Sequence, residues 1–468
     1  MAKGRREGLA SDAALRPDWL RNEIAVIGLA RSGRSVATLL ARTGNNVYAS
    51  DSGRTSELEA TASELDREGI DVELGAHQLK RIERAALVVV SPGVPPDAEP
   101  ILAAQRKGID IVSELEIALR FLPSLKYIAI TGTNGKTTTT ALTAHLLQSL
   151  RLRAVAAGNI GTPLSEIALE AATPQWVALE VSSYQLHFTP SIQPVVGALT
   201  NVSPNHLDRY TSVDEYYGDK KLLFRNATPG SNWVSNADNP ATQQLVIGAA
   251  GVHAEFSVSR DADAFYERSS NRLVVLGCPL IERSQLDLLG DHNVANALCA
   301  SLAVMLADPA HRTMDSCAML GGGLRSFRSL EHRNEVIGEI GGVLWINDSK
   351  STNVASSLVA LRGMTRPTIL LLGGKHKGEP YTALAPELER TVKLVIAYGE
   401  AAPQIARDLT GGVPVEQGGT KFADVVERAR RAAAPGDAVL LSPACSSFDM
   451  FANYEQRGTE FKQLVGAP

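Results

Sequence analysis

At roughly 150 residues per domain, the 468-residue chain has room for about three domains. Its 44% hydrophobic and 21% charged residues suit a globular protein with full cores, which excludes a collagen, a coiled coil and wholesale disorder. With 46 Lys and Arg against 51 Asp and Glu the net charge is −5, so there is no overall basic footprint for nucleic acid, and no apolar run approaches the roughly 18 residues of a membrane span.

Residues 1–21 are polar and lack the apolar core of a signal peptide, and read as a disordered tail. The four cysteines (Cys278, Cys299, Cys317, Cys445) form no Cys-x-x-Cys pair and are too sparse for a disulfide scaffold, which fits a reduced cytoplasm. The first segment, 22–122, opens with a strand-like run Ile24–Ile27, the turn Gly28-Leu29-Ala30-Arg31-Ser32-Gly33 and a helix to about Arg42. A second strand over Asn46–Ser50 ends at Asp51, and a third over Leu87–Val90 ends in Ser91-Pro92-Gly93. Strands alternating with helices predict a parallel, doubly wound sheet. Gly28-x-Ala30-x-x-Gly33 followed by Asp51 is close to a dinucleotide fingerprint, but the Ala30 methyl crowds the approach of a pyrophosphate. From the residues alone, the turn is either a phosphate-binding turn or a plain tight connection. A uridine diphosphate could use the same crevice, with Ser32, Asp51 and Ser91-Pro92-Gly93 around it.

The second segment, 123–329, starts after Pro123 with the apolar run Tyr127–Ile130. It leads into Thr131-Gly132-Thr133-Asn134-Gly135-Lys136-Thr137 and a helix through about Leu150. Backbone N–H groups at such a strand-to-helix turn cradle phosphates, a lysine adds a point charge, and the threonine hydroxyl can ligate Mg²⁺. The spacing is two residues shorter than in the usual phosphate loop. Strand-like runs follow at Trp176–Glu180 and Val195–Asn201, with a helix from about Asn293 to Ala307. Glu180, an acid at a strand end, is suited to hold Mg²⁺ through oxygen. His206 stands in Asn205-His206-Leu207-Asp208, and a His-x-Asp pair alone is more often structural. By composition Lys220 reads as an exposed helix lysine. Asn293 reads as either a helix cap or an amide donor to adenine.

The third segment, 330–468, has strand-like runs at Val343–Ile346, Thr368–Leu372, Leu394–Ala397 and Ala438–Leu441 with helical stretches between them, a third α/β unit. Its polar motifs are Asn347-Asp348-Ser349-Lys350-Ser351-Thr352-Asn353, Gly373-Gly374-Lys375-His376-Lys377-Gly378, Ser442-Pro443-Ala444-Cys445-Ser446-Ser447-Phe448-Asp449 and Asn453-Tyr454-Glu455-Gln456-Arg457-Gly458. Cys445 reads as a packed thiol with no partner base. No internal repeat or low-complexity tract is visible.

The shortened phosphate loop together with these motifs resembles the Mur ligase family, over residues 22 to the end. The resemblance implies an α/β fold of three domains: a Rossmann-like N-terminal domain, a central parallel sheet of the phosphate-loop ATPase type, and a Rossmann-like C-terminal domain. It implies ATP-dependent addition of D-glutamate to UDP-N-acetylmuramoyl-L-alanine through an acyl phosphate, by a cytoplasmic monomer. The implied ATP site is Gly132, Thr133, Asn134, Gly135, Lys136, Thr137, Thr138, Asn293, Arg333 and Asp348. The implied uridine-nucleotide site is Arg31, Ser32, Asp51, Ser52, Ser91, Gly93, Asn159, Ser182 and Gln185. Lys350, Thr352, Lys377, Ser447, Phe448 and Tyr454 would take the amino acid, with Phe448 standing where the family usually has Leu. Two Mg²⁺ sites would be held by Thr137, Glu180, His206 and Lys220, the last turned into an anionic oxygen ligand by carbamylation. Lys136, His206, Lys220 and Lys377 would carry the catalysis.

This set predicts carboxylate activation. A carboxylate does not react with an amine near neutral pH because its leaving group would be oxide. Phosphorylation by ATP supplies a phosphate leaving group instead, and neutralising charge on the transferring phosphoryl is an electrostatic task that needs no enzyme nucleophile. Three other readings compete: a folylpolyglutamate synthetase, which lacks a separate first domain of this type; a phosphate-loop GTPase, for which no Asn-Lys-x-Asp motif occurs; and a nicotinamide dehydrogenase, resting on Gly28 to Gly33 alone.

Overall fold

The computed structural model describes residues 15–16, 18–20, 22–205 and 209–466. The chain divides into two compact units, one of residues up to Glu282 with Asn296–Leu324, the other of Arg283–Ala295 with the chain from Arg325 on.

The first unit holds two sheets. One has five parallel strands in the order Asp71–Leu74, Val47–Asp51, Ile24–Ile27, Leu87–Val90, Ile111–Ser113. Ile24–Ile27 and Leu87–Val90 are buried throughout, as strands covered by helices on both faces must be, which is why they read as unbroken apolar runs. The strand order reverses between these two, and this opens a crevice at their carboxyl ends. Gly28 and Gly33 are required there by packing. A Cβ on Gly33 would lie 1.8 Å from the Gly28 carbonyl oxygen, and one on Gly28 (φ +87°) would meet Val94 at 2.8 Å. Leu15 and Trp19, inside the stretch expected to be a tail, are buried in this core. The Trp19 indole donates to Asp110 (2.8 Å) and lies 4.7 Å beneath the Arg120 guanidinium, so its polar and apolar parts are both satisfied.

The second sheet has nine strands in the order Cys278–Glu282, Arg272–Val275, Ala264–Glu267, Val252–Ser257, Asn232–Asn236, Val196–Leu199, Lys126–Thr131, Trp176–Glu180, Ala154–Gly158. The first three strands in this order pair antiparallel, a departure from the expected all-parallel sheet, and the remainder pair parallel. The hairpin joining Arg272–Val275 to Cys278–Glu282 turns on Leu276 (φ +48°) and Gly277 (φ +77°), positive at both centres as a tight hairpin needs.

Helices Arg31–Arg42, Glu114–Phe121 and Leu164–Leu169 pack together beside these sheets. Ser165 links them: its backbone N–H donates to the Glu114 carboxylate and its hydroxyl to Ser35 (2.8 Å). Glu114 is fully buried, its Oε2 has no hydrogen-bond partner among the described residues, and burial lifts its carboxyl from 4.5 to about 7. A carboxyl raised in the folded state holds its proton better folded than unfolded. Its contribution is therefore fully favourable below pH 4.5 and is lost as pH rises through 7. Wild type should lose on the order of 3 kcal/mol across that window from this group. Glu114→Gln should flatten that part of the curve, read from urea midpoints at pH 5 and 8. An unchanged slope would refute the assignment.

The second unit carries a six-stranded sheet in the order Glu335–Ile340, Val343–Asn347, Ala438–Leu441, Thr368–Gly373, Val392–Tyr398, Val415–Gly419, with only the first pair antiparallel. Clusters on both faces, including Leu370, Leu372 and Leu440 on one and Trp345, Leu371 and Phe461 on the other, make it a doubly covered α/β sheet. Among the described residues, no helix is long and apolar enough to cross a membrane.

Candidate active site

Strand Lys126–Thr131 runs into the glycine loop, and helix Lys136–Ser149 leaves it. Two conformations only glycine tolerates shape the turn. Gly132 has φ +148° and a Cβ there would lie 2.0 Å from Thr200 Oγ1. Gly135 has φ +80° and a Cβ would lie 2.3 Å from Asn296 Oδ1. The neighbouring strand Val196–Leu199 delivers the brace. Asn201 Oδ1 accepts from the Asn134 N–H (2.9 Å), and Asn201 Nδ2 (2.9 Å) and Thr200 Oγ1 (2.7 Å) donate to the Asn134 carbonyl. The Asn201 carbonyl accepts from the Thr133 N–H (2.8 Å). Thr200, Asn201 and Asn296 carry no role in the sequence reading, although Thr200 and Asn201 close the strand-like run Val195–Asn201. Their role depends on two loops meeting across a sheet. Lys136 Nζ donates to the carbonyls of Gly132 (2.9 Å) and Thr133 (2.8 Å), which holds its charge over the helix N-terminus. A helix N-terminus with a lysine held over it can take an anion.

Glu180 ends the strand on the other side of Lys126–Thr131. It is 2% exposed; Oε1 accepts from Asn159 Nδ2 (3.0 Å), and Oε2 is buried with no hydrogen-bond partner among the described residues. An orphaned carboxylate oxygen beside a phosphate cradle fits a site for a cation. Lys220 lies in the last turn of helix Val213–Lys221 and is 1% exposed, whereas Lys221 is exposed, so composition misjudged the first of the pair. Its Nζ donates to the Gly132 carbonyl (2.8 Å) and sits 4.7 Å from the Tyr216 ring centroid. Burial, reinforced by the charge of Lys136, pushes its pKa well below the usual lysine value. Burial thus shifts the balance from the ammonium toward the free amine. His206 lies outside the described residues. Among those described, no three His, Cys, Asp or Glu side chains converge to hold a metal.

In the first-sheet crevice, Asp51 Oδ2 accepts from the Leu29 N–H and Oδ1 from the Gly53 N–H (2.8 Å each), while Ser91 Oγ donates to the Gly28 carbonyl (2.8 Å). Asp51, Ser52, Ser91 and Gly93 thus lie around the turn that carries Arg31 and Ser32, and Arg31 reaches Glu166 (3.5 Å). Arg209 donates to the carbonyls of Pro92 and Gly93 (3.3 and 3.2 Å). Ser182 and Gln185 cap helix Ser183–His187 reciprocally. With Asn159 they belong to the second sheet's loops.

Asn293, Arg333, Asp348 and all six amino-acid candidates lie in the other unit. Asp348 is buried, accepts from Ser442 Oγ (2.8 Å) and the Asn334 N–H (3.2 Å), and burial raises its carboxyl to about 6. Asn293 Nδ2 donates to the Leu289 carbonyl (2.8 Å). Lys377 Nζ meets Thr352 Oγ1 (3.3 Å), and Lys350 Nζ lies 5.0 Å from the Tyr454 ring centroid. Ser447 is buried and Phe448 is 69% exposed. Cys445 is buried, bonded to Tyr381 Oη (2.9 Å), and burial pushes its thiol up to about 11, so it is packed and unreactive as expected.

Three family models match the chain: "Mur ligase MurD-like, N-terminal domain" over residues 22–113, "Mur ligase middle domain" over 130–304 and "Mur ligase, glutamate ligase domain" over 332–445. The UDP-N-acetylmuramoylalanine–D-glutamate ligase of Acidobacterium capsulatum is 38% identical over 452 residues, 95% of this chain and 96% of the relative. The enzyme of the same name from Myxococcus xanthus is 39% identical, covering 95% and 98%. Among solved structures, the MurF ligase of Thermotoga maritima in complex with ADP superposes with a TM-score of 0.60 at 15% identity, covering 96% of this chain and 99% of the other. UDP-N-acetylmuramate-alanine ligase MurC from the same organism superposes at 0.59 and 21%, covering 95% and 100%. At such identities these structures speak for the fold alone.

Proposed function

The chain belongs to the Mur ligase family, and on that premise we propose that it joins D-glutamate to the L-alanine carboxylate of UDP-N-acetylmuramoyl-L-alanine, an ATP-dependent step of peptidoglycan precursor synthesis. The observation that carries this reading is likeness at 36–39% identity, over nearly the full length, to enzymes named for that addition. The segments 22–122, 123–329 and 330–468 are read as the uridine-nucleotide, ATP and amino-acid domains, and each contains one of the three family matches. The reaction is placed in the cytoplasm, where ATP is at hand.

In this reading the N-terminus of helix Lys136–Ser149 faces the β- and γ-phosphates, the Thr133 and Asn134 N–H groups being taken by Asn201, and Lys136 leaves its loop carbonyls to meet the transferring phosphoryl. Magnesium, when bound, supplies neutralisation of phosphate charge. The Thr137 hydroxyl, the Glu180 carboxylate with its orphaned Oε2, His206 and a carbamate on Lys220 are the residues assigned to hold it at two sites. Once deprotonated, the Lys220 amine attacks carbon dioxide, forms the N–C bond and releases one proton, which turns a buried would-be cation into an anion. Arg31, Ser32, Asp51, Ser52, Ser91, Gly93, Asn159, Ser182 and Gln185 are assigned to the sugar nucleotide. Asn293, Arg333 and Asp348 are assigned to ATP, with Lys350, Thr352, Lys377, Ser447, Phe448 and Tyr454 on glutamate. The amine of glutamate then attacks the acyl phosphate formed on the substrate, and phosphate leaves.

Phosphate release with ATP and UDP-N-acetylmuramoyl-L-alanine, with D- or L-glutamate added separately, tests the proposal. Turnover with the D-enantiomer is expected, at least about 100-fold above that with the L-enantiomer. No turnover with either overturns the function; equal turnover overturns the stereochemistry.

A further inference from the structure

Arg457 is fully buried, yet no carboxylate lies within ion-pair distance of it among the described residues. Its guanidinium is satisfied by neutral oxygens alone. Nε donates to Ser349 Oγ (3.0 Å) and Nη2 to the Ser349 carbonyl (2.7 Å). Nη1 donates to the carbonyls of Cys445 (3.3 Å) and Ser446 (3.4 Å), and Nη2 also to that of Cys445 (3.3 Å). Ser349 stands one residue before Lys350, and Ser446 one before Ser447. The same fork therefore ties together two loops that carry amino-acid candidates.

The third such loop is drawn in by its backbone. The Lys375 N–H donates to the Ser446 carbonyl (2.8 Å), and Ser446 Oγ donates to the Lys375 carbonyl (3.2 Å). Gly374 (φ +129°) is packed so closely that a Cβ would lie 2.3 Å from the Ser446 carbonyl oxygen and 3.1 Å from Arg457 Nη1. Ser349 Oγ in turn donates to the Tyr454 carbonyl (2.8 Å). Burying an arginine without a counter-ion is costly. The bonds keep the buried oxygens of Ser349, Cys445 and Ser446 paired, and a planar fork of five donors fixes the relative position of several carbonyls at once.

We propose that Arg457 is the positioning residue of the amino-acid site: it sets the spacing of Lys350, Thr352, Lys377 and Ser447 and so determines affinity for glutamate without touching it. The inference rests on the ligase reading above. The test compares wild type, Arg457→Lys, Arg457→Met and Ser349→Ala by phosphate release, with KM taken separately for D-glutamate, ATP and UDP-N-acetylmuramoyl-L-alanine, and near-UV circular dichroism as the check of fold. Arg457→Met should raise the D-glutamate KM at least about tenfold while the other two KM values stay within about twofold. Arg457→Lys keeps the charge but not the fork and should recover only part of that loss. Should Arg457→Met not fold, Ser349→Ala, which removes one leg of the fork together with the hydroxyl's bond to the Tyr454 carbonyl, should still raise the D-glutamate KM about threefold to fivefold. A folded variant set in which the D-glutamate KM is unchanged, or in which all three KM values move together, overturns the assignment while wild-type turnover upholds the ligase reading. Absence of wild-type turnover overturns both.

Discussion

Lys136→Ala should lower kcat by about 10³-fold or more in the phosphate-release assay while the melting temperature stays within a few degrees of wild type. The two parts of this expectation have separate causes. The lysine places its charge over the cradle through bonds to Gly132 and Thr133. The loop itself is held from outside, by Asn201 and Thr200 on Asn134 and by the Asn201 carbonyl on Thr133, so its shape does not depend on the lysine. Wild-type turnover by a folded Lys136→Ala protein would remove the phosphate role from this loop.

Lys220→Ala should lose activity by about two to three orders of magnitude and regain part of it when formate or acetate is added. The truncated side chain leaves a pocket into which a small carboxylate fits, replacing the anionic oxygens that carbamylation is proposed to supply. Lys221→Ala is the control: that side chain is exposed, and its loss should leave turnover unchanged. The buried amine also has a sign in the stability curve. Its pKa is lower folded than unfolded, so the unfolded chain takes up the extra proton as pH falls below the usual lysine value, and acidification destabilises the native state. Lys220→Met, which keeps the stem and removes the amine, should weaken that dependence. Full activity of Lys220→Ala with no carboxylate added would rule out the carbamate.

Much of the fold could be read from the chain because parallel strands buried on both faces leave unbroken apolar runs, and those at Ile24–Ile27, Leu87–Val90, Trp176–Glu180 and Ala438–Leu441 coincide with the strands observed. Several strands that escaped notice lie at sheet edges or in hairpins, whereas Asn232–Asn236 is interior to the nine-stranded sheet but is a short run flanked by polar residues. Asp71–Leu74 has no buried residue, and Ala264–Glu267 is only half-buried. The turn at Leu276-Gly277 lacks the Asn or Asp that usually announces such a bend. The phosphate loop was legible because its chemistry is local, with glycines, lysine and threonine in one run. Lys220 was invisible to composition since burial is a tertiary property, and the family resemblance alone singled it out. Arg457 sat within a quoted motif but gained no role there, because its partners are 108 and 11 or 12 residues away along the chain.

Both lysines of the central site anchor to one oxygen, the main-chain carbonyl of Gly132. A carbonyl is common to all twenty amino acids, so no change of residue type at that point can delete the anchor. Substitution of Gly132 itself acts by distorting the turn, since its φ is +148° and the Thr200 hydroxyl already fills the space a Cβ would need. For a medicinal chemist the same oxygen marks a recognition point with a high barrier to resistance. An inhibitor that donates to that oxygen, as the two lysine amines do, would bind a main-chain atom that no change of side chain removes.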